Sequence, residues 1–249
     1  MPQPSNLTSS SIIETRSLVK AFGLLPALRK LDLSIAKGEF VALLGPNGSG
    51  KSTLLRLLAG LSKPTSGTLT IGGWELPREA AAVRAQIGLV SHRPLLYETL
   101  TARENLRFFG RLYALPANTR ETRITEGLER VGLAKRGDDL VRTYSRGMQQ
   151  RLSIARTLLH DPHVLLLDEP YTGLDQDASL TLDGLLTEAH RDGHTVVMAT
   201  HEMDRAVRLA DRTLILARGS LVHDAPTAGM DALALAAIYT DITGMASAR

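Results

Sequence analysis

From Ile12 to Ile35 apolar and polar positions alternate in short stretches, a period near two that predicts β-strands separated by turns. Gly38 then leads into the compact apolar run 39–44, which has no polar face and predicts a buried strand. The spacing changes at Lys51. Leu54, Leu55 and Leu58 recur at helical intervals, and Gly60 supplies a stop. Strand-like pieces return at 68–71 and 87–90 around an alanine-rich helical stretch. From Thr101 to Leu159 the pattern is helical, opening on Thr101 and Glu104 in capping-box spacing ahead of Leu106, Phe108, Phe109 and Leu112. Strand-like runs at 164–167, 195–199 and 213–217 then alternate with helical ones at 177–191 and 202–209, and the chain past Ala225 reads as helical. This rhythm predicts an α/β fold with a mostly parallel sheet and a helical lobe inserted at about residues 92–160. Residues 1–249 are expected to form a single domain, with the polar, Ser/Pro-rich residues 1–10 as a flexible tail.

Composition narrows the function classes. With no cysteine among 249 residues there is no disulfide, thiolate metal site or cysteine nucleophile. A net charge of +3 from 29 basic and 26 acidic residues is too small and dispersed for a nucleic-acid track, and 4% aromatics supply few base-stacking platforms. No nucleic-acid partner is expected. No apolar run is long enough to span a bilayer, and the first residues lack the basic and apolar regions of a secretory signal. A cytoplasmic location is therefore the expectation.

The segment Gly45-Pro46-Asn47-Gly48-Ser49-Gly50-Lys51-Ser52-Thr53 satisfies G-x-x-x-x-G-K-[ST] between a predicted buried strand and a predicted helix. Glycines let backbone N–H groups turn inward around phosphate oxygens, and the helix aims its positive end at them. Lys51 is expected to bridge β- and γ-phosphates, Ser52 to ligate Mg²⁺, and Thr53 to help hold the α- or β-phosphate. A glycine-rich turn that merely precedes a helix is the competing reading.

A second apolar run ends in Asp168-Glu169-Pro170. Asp168, at the strand terminus, suits a water-mediated Mg²⁺ contact. Glu169 points the other way along the extended chain, where it can orient and deprotonate an attacking water. A solvated pair at a helix start would look similar. The run 195–199 leads through Thr200 to His201, which is placed either to sense a γ-phosphate or to cap a helix. His160, His163, His190, His194 and His223 have no metal-like spacing and are read as surface or packing residues.

Tyr144-Ser145-Arg146-Gly147-Met148-Gln149-Gln150-Arg151 precedes the acidic strand and opens a helix. In this order, phosphate loop, signature segment, acidic strand end, D-loop and switch histidine, nearly the whole chain resembles the nucleotide-binding subunit of ABC transporters. The resemblance implies the ABC ATPase fold, a P-loop core with an N-terminal antiparallel β lobe and an inserted helical lobe, binding ATP and Mg²⁺. It implies that Ser145 and Gly147 contact the γ-phosphate held by an opposite subunit, so that sites are complete only in a homodimer or heterodimer. Thr172-Gly173-Leu174-Asp175 resembles the D-loop, with Asp175 at the dimer seam. Phe22 falls where the family places an aromatic that stacks on adenine, although a core Phe would also fit. The signature departs from the usual LSGGQ at Tyr144, Arg146 and Met148.

Where the family usually has glutamine, after the run 87–90, this chain has His92 in Ser91-His92-Arg93-Pro94. The resemblance assigns this position to Mg²⁺ or water binding and to relay toward the membrane subunit. A protonated imidazole opposes Mg²⁺, so a pH-sensitive ATPase is expected. This segment, residues 98–108 and residues 169–175 resemble the ATP-binding subunit of haem exporters of the cytochrome c maturation type. Leu-Thr-x-x-Glu-Asn-Leu wording also occurs in drug and polysaccharide exporters. The implied activity is ATP hydrolysis that powers export through a separate polytopic permease, with the chain peripheral on the inner membrane. A soluble clamp acting on ribosome or DNA is the alternative from another class, but such proteins usually join two modules or carry a long coiled coil, and this chain has neither.

Overall fold

The computed structural model describes residues 11–91 and 94–247. In chain order the elements are β1 (Ser11–Phe22), β2 (Leu25–Ala36), β3 (Phe40–Leu44), α1 (Lys51–Leu58), β4 (Ser66–Ile71), β5 (Trp74–Leu76), α2 (Ala80–Ala85), β6 (Ile87–Val90), α3 (Ala102–Leu112), α4 (Ala117–Arg130) and α5 (Arg146–Leu158). They continue with β7 (Val164–Asp168), α6 (Gln176–Arg191), β8 (Thr195–Ala199), α7 (Met203–Leu209), β9 (Arg212–Ala217), β10 (Ser220–Pro226) and α8 (Ala232–Ser247).

These strands make two sheets. β2-β1-β4-β5 is antiparallel. The other has the order β10-β9-β3-β8-β7-β6 and is parallel except for its β9–β10 edge. The period-two side chains of the parallel strands separate the interior into two layers. Phe40, Ala42 and Leu44 of β3, with Leu165 and Leu167 of β7, face one layer together with α5, α6 and the helices α3 and α4. Val41 and Leu43, with Val164 and Leu166, face the other, which contains α1 and the antiparallel sheet. Both faces of the parallel sheet are buried, which is why its strands read as unbroken apolar runs.

The helical stretch 101–159 is three α-helices. Thr101 Oγ1 accepts from Glu104 N at 3.1 Å while Glu104 Oε2 accepts from Thr101 N at 2.8 Å, the reciprocal box that the spacing implied. Asn105 is fully buried beside it, donating to the carbonyls of Tyr97 and Thr101 and accepting from Tyr97 N.

Two strands had no signal in the pattern. β5 is three residues long, too short for a period to register. β10 is an edge strand with His223, Asp224 and a terminal Pro226. It carries the chain to 226 in extended form, so the C-terminal helix begins later than expected, at Ala232.

His160 is a packing residue. Its ring stacks on Tyr113 with centroids 3.8 Å apart, and Nε2 lies 3.2 Å from the Ile87 carbonyl. Burial, the dominant influence, pushes its pKa down to about 4, below the ordinary 6.5. The unfolded chain therefore binds a proton more readily between pH 6.5 and about 4, and stability falls as pH drops through that window. Urea unfolding at pH 7 and 5 should show the parent losing on the order of 1 kcal/mol more than His160→Phe, which keeps a flat ring but cannot titrate.

Candidate functional site

β-Register determines where the site forms. Leu43 pairs with Ala199, and Asp168 pairs with the same Ala199 from the other side. The three parallel strands thus end side by side, at the edge of the sheet where open α/β folds bind ligands. From those ends the chain enters the phosphate loop after Leu44, Glu169 after Asp168, and His201 after Thr200.

The loop packs closely against β9 on one side and β2 on the other. At Gly45, with φ +147°, an added Cβ would lie 2.3 Å from the Leu216 carbonyl oxygen and 2.7 Å from Ser49 Oγ. At Gly50, with φ +112°, it would lie 2.7 Å from the Ala27 carbonyl oxygen and 2.8 Å from Leu28 Cδ2. Neither place admits a side chain. Gly50 is also the residue before α1, so it sets the angle at which the helix N–H groups face the loop.

Lys51 is buried, and its ammonium is held by the loop itself. Nζ donates to the Gly45 carbonyl at 2.6 Å and to the Pro46 carbonyl at 3.2 Å. Desolvation lowers its pKa below the ordinary value, opposed by the negative charges of Glu169 and Asp168. Ser49 Oγ is buried and has no hydrogen-bond partner among the described residues. A desolvated cation and an unpaired hydroxyl facing one loop suit a phosphate group. Ser52 Oγ, on the exposed side of α1, donates to Asp168 Oδ1 at 3.1 Å. This brings two hard oxygen ligands together, the donor chemistry Mg²⁺ requires. Thr53 is half-buried on the same turn.

Glu169 has a left-handed backbone, φ +51°, uncommon for a residue with a long side chain. Its amide is anchored to the Ala199 carbonyl at 3.0 Å. Its carboxylate Oε2 accepts from His201 Nδ1 at 2.8 Å, which leaves Nε2 of the imidazole open. Neither acid is a solvated N-cap of a following helix, since the next helix, α6, begins at Gln176 and is capped by Asp175. His201 likewise caps nothing; Glu202 holds the N-cap position of α7.

Ser145 is the N-cap of α5, its Oγ accepting from Met148 N at 3.3 Å. Asp175 does the same for α6, accepting from Ala178 N at 2.8 Å. The two helix starts meet around a shallow cavity of about 130 Å³ lined by Ser145, Gly147, Met148, Asp175 and their neighbours, none of them from the phosphate loop. A Cβ on Gly147 would stand 3.1 Å from Ala178 Cβ, so the glycine lets α5 and α6 approach. Phe22 is 58% exposed, with the Lys20 ammonium 4.9 Å from its ring centre, and is therefore no core residue. His92 and Arg93 lie outside the described residues, as do residues 1–10 expected as a tail.

A buried polar cluster behind the site carried no motif. Asp183 of α6 accepts from Tyr171 Oη at 2.6 Å and from Arg205 Nε at 3.2 Å, and it also pairs with Arg208. An aspartate eight residues into a helix that otherwise reads as amphipathic was the one available signal. Among the described residues no three His, Cys, Asp or Glu side chains group as a metal site.

A parallel sheet whose strand ends gather a phosphate loop, a paired acid and a histidine defines a P-loop nucleoside triphosphatase. A family profile described as ABC transporter matches residues 28–172, and the chain belongs to that family. The linearmycin resistance ATP-binding protein of Bacillus subtilis is 36% identical over 211 residues, 85% of this chain and 68% of the relative. A daunorubicin resistance ATP-binding protein of Streptomyces coeruleorubidus is 41% identical over 205 residues, 82% of this chain and 65% of the relative. Among solved structures, a dimeric ATP-binding cassette in a post-hydrolysis state with ADP and Pi superposes with a TM-score of 0.80 at 31% identity, covering 88% of this chain and all of that one. The fold is the ABC ATPase fold, and the chain is an ATP-hydrolysing transporter subunit.

Proposed function

We propose that two copies of this chain, or one copy and a related subunit, close around ATP and drive export through a separate polytopic permease. The observation that carries this reading is the separation of the two helix starts at Ser145 and Asp175 from the phosphate loop within one chain. A triphosphate held by Gly45–Thr53 has no contact from them unless a second subunit presents its own. Phe22, exposed at the end of β1, is available to stack on adenine. Lys51, Ser49 and the α1 amides hold the phosphates. Ser52, Asp168 through water, and His92 if that position acts as in the family, would hold Mg²⁺, which would supply neutralisation of phosphate charge. Glu169 accepts the proton of the attacking water, and His201, fixed by its Nδ1 bond to Glu169, keeps Nε2 for the γ-phosphate or that water.

A groove of about 380 Å³ lined by Leu61, Leu95, Phe109, Leu112, Tyr113 and Arg156 opens beside residues 94–95. Its exposed leucines suit an apolar cytoplasmic helix of the permease, next to the segment expected to relay nucleotide state. Among the described residues no helix is long and apolar enough to cross a membrane, so this reading places the path in the partner and the chain on the inner membrane's cytoplasmic face.

Export of an antibiotic is the cargo reading that the names of the linearmycin and daunorubicin resistance relatives support, whereas haem export rests on the likeness of residues 91–108 and 169–175 alone. Deleting the gene is expected to lower resistance to an amphipathic antibiotic and leave c-type cytochromes assembled; the opposite pattern favours haem. For the dimer, specific ATPase activity of the full chain should rise with protein concentration and vanish in EDTA. A rate strictly proportional to protein concentration sinks the shared-site reading.

A further inference from the structure

Glu169 reaches into the site on a backbone conformation, φ +51°, that a non-glycine residue adopts only at a cost and only where the surroundings over-determine it. Three contacts hold the segment from behind. The Ala199 carbonyl takes the Glu169 amide. Gln150, buried in α5, donates Nε2 to the Pro170 carbonyl at 3.0 Å. Tyr171 donates its hydroxyl to Asp183 at 2.6 Å.

The third contact reaches furthest. Asp183 is also bound by Arg205, whose guanidinium lies over the Tyr171 ring at 4.1 Å and pairs in addition with Glu202. Glu202 directly follows His201. One carboxylate on α6 thus ties the turn that carries Glu169 to the start of the helix behind His201. Tyr171 and Asp183 are only 5% and 8% exposed. Burial, followed by the bond to Asp183, raises the phenol's pKa, so the hydroxyl remains a donor. With Arg205, Arg208, Asp183 and Glu202 the cluster is electrically balanced, but a buried ion cluster seldom adds more stability than an apolar one of the same shape. Its distinctive property is directional: it specifies where two separate loops sit relative to each other.

We propose that Tyr171, Asp183 and Arg205 are positioning residues for ATP hydrolysis, holding Glu169 and His201 within hydrogen-bond reach of one another. The inference rests on the assignment of Glu169 as base made above. Tyr171→Phe removes one oxygen and keeps the ring under Arg205, and the full chain carrying it can be assayed for kcat, KM for MgATP, Kd for a fluorescent ATP analogue and Tm. The expected result is a kcat about tenfold lower, as small misplacements of a reacting group cost, with KM and Kd changed by less than about twofold. In a Glu169→Gln background the same change should alter the residual rate by less than about twofold, because the group it positions is already disabled. Arg205→Lys, which keeps the charge beside Asp183, should retain more of kcat than Arg205→Ala.

Tyr171→Phe at the parental kcat beside a slow Glu169→Gln overturns the positioning role alone. So do a tenfold loss that persists undiminished in the Glu169→Gln background and a loss in which KM and Kd shift as much as kcat. Glu169→Gln at the parental rate overturns the base assignment instead.

Discussion

Glu169→Gln is expected to lower ATP turnover by a factor of about 10² to 10³, the usual contribution of a placed general base, while ATP binding stays near the parental level. The amide has the shape of the carboxylate, and its oxygen can still accept from His201 Nδ1, so the geometry at 2.8 Å survives. What disappears is basicity toward water. The hydrogen bonds on the phosphate side do not involve Glu169, since Lys51 donates to the Gly45 carbonyl and Ser52 reaches Asp168, so only the coulombic support Glu169 gives the Lys51 ammonium is lost. The variant should therefore bind nucleotide, close with its partner subunit and remain closed. Single-turnover hydrolysis together with equilibrium ATP binding separates the two effects. A loss of affinity equal to the loss of rate would assign Glu169 to binding instead. Glu169→Gly makes the strain visible: it removes the base and relieves the positive φ, so it should be inactive yet about 1 kcal/mol more stable in urea.

Most of this site was legible in the chain because its parts are local. The phosphate loop, the acidic strand end and His201 each sit at the end of an unbroken apolar run, and a strand buried on both faces declares itself without its neighbours. What the pattern could not show was arrangement between segments. That Asp168 and Leu43 flank the same Ala199 follows from strand order, which no local period encodes. Phe22 is ambiguous between core and ligand contact in the sequence because exposure depends on packing: it ends β1 paired with Leu25, yet its side chain stands 58% exposed. The Asp183 cluster was invisible for the same reason: its members come from the loop after β7, from α6 and from α7, and only packing makes them neighbours. β10 was missed because an edge strand keeps polar residues on its open side and loses the alternation that betrays a buried one.

Lys51→Met should weaken ATP binding by about two orders of magnitude or more, since it removes a charge-assisted contact to phosphate in a desolvated loop. The unliganded chain should fold as well as the parent, because methionine fills the stem's volume and spares the fold a buried ammonium. The titration gives this prediction its sharper form. Desolvation holds the folded-state pKa of Lys51 below the ordinary 10.5, with Glu169 and Asp168 only partly offsetting it. Since the unfolded chain binds the proton more tightly, the burial penalty is fully present at neutral pH and is relieved as pH rises through the folded pKa, so this residue's contribution to stability improves toward alkali. ATP affinity must move the opposite way. The ligand needs the charged form, and affinity should begin to fall at a pH below that at which an ordinary lysine discharges. Measured by nucleotide fluorescence, log Kd of the parent should bend upward on the alkaline side, and that of Lys51→Met should not. A parental profile that stays flat to the ordinary lysine pKa would mean that the ammonium is better solvated in the free protein than its contacts with Gly45 and Pro46 imply.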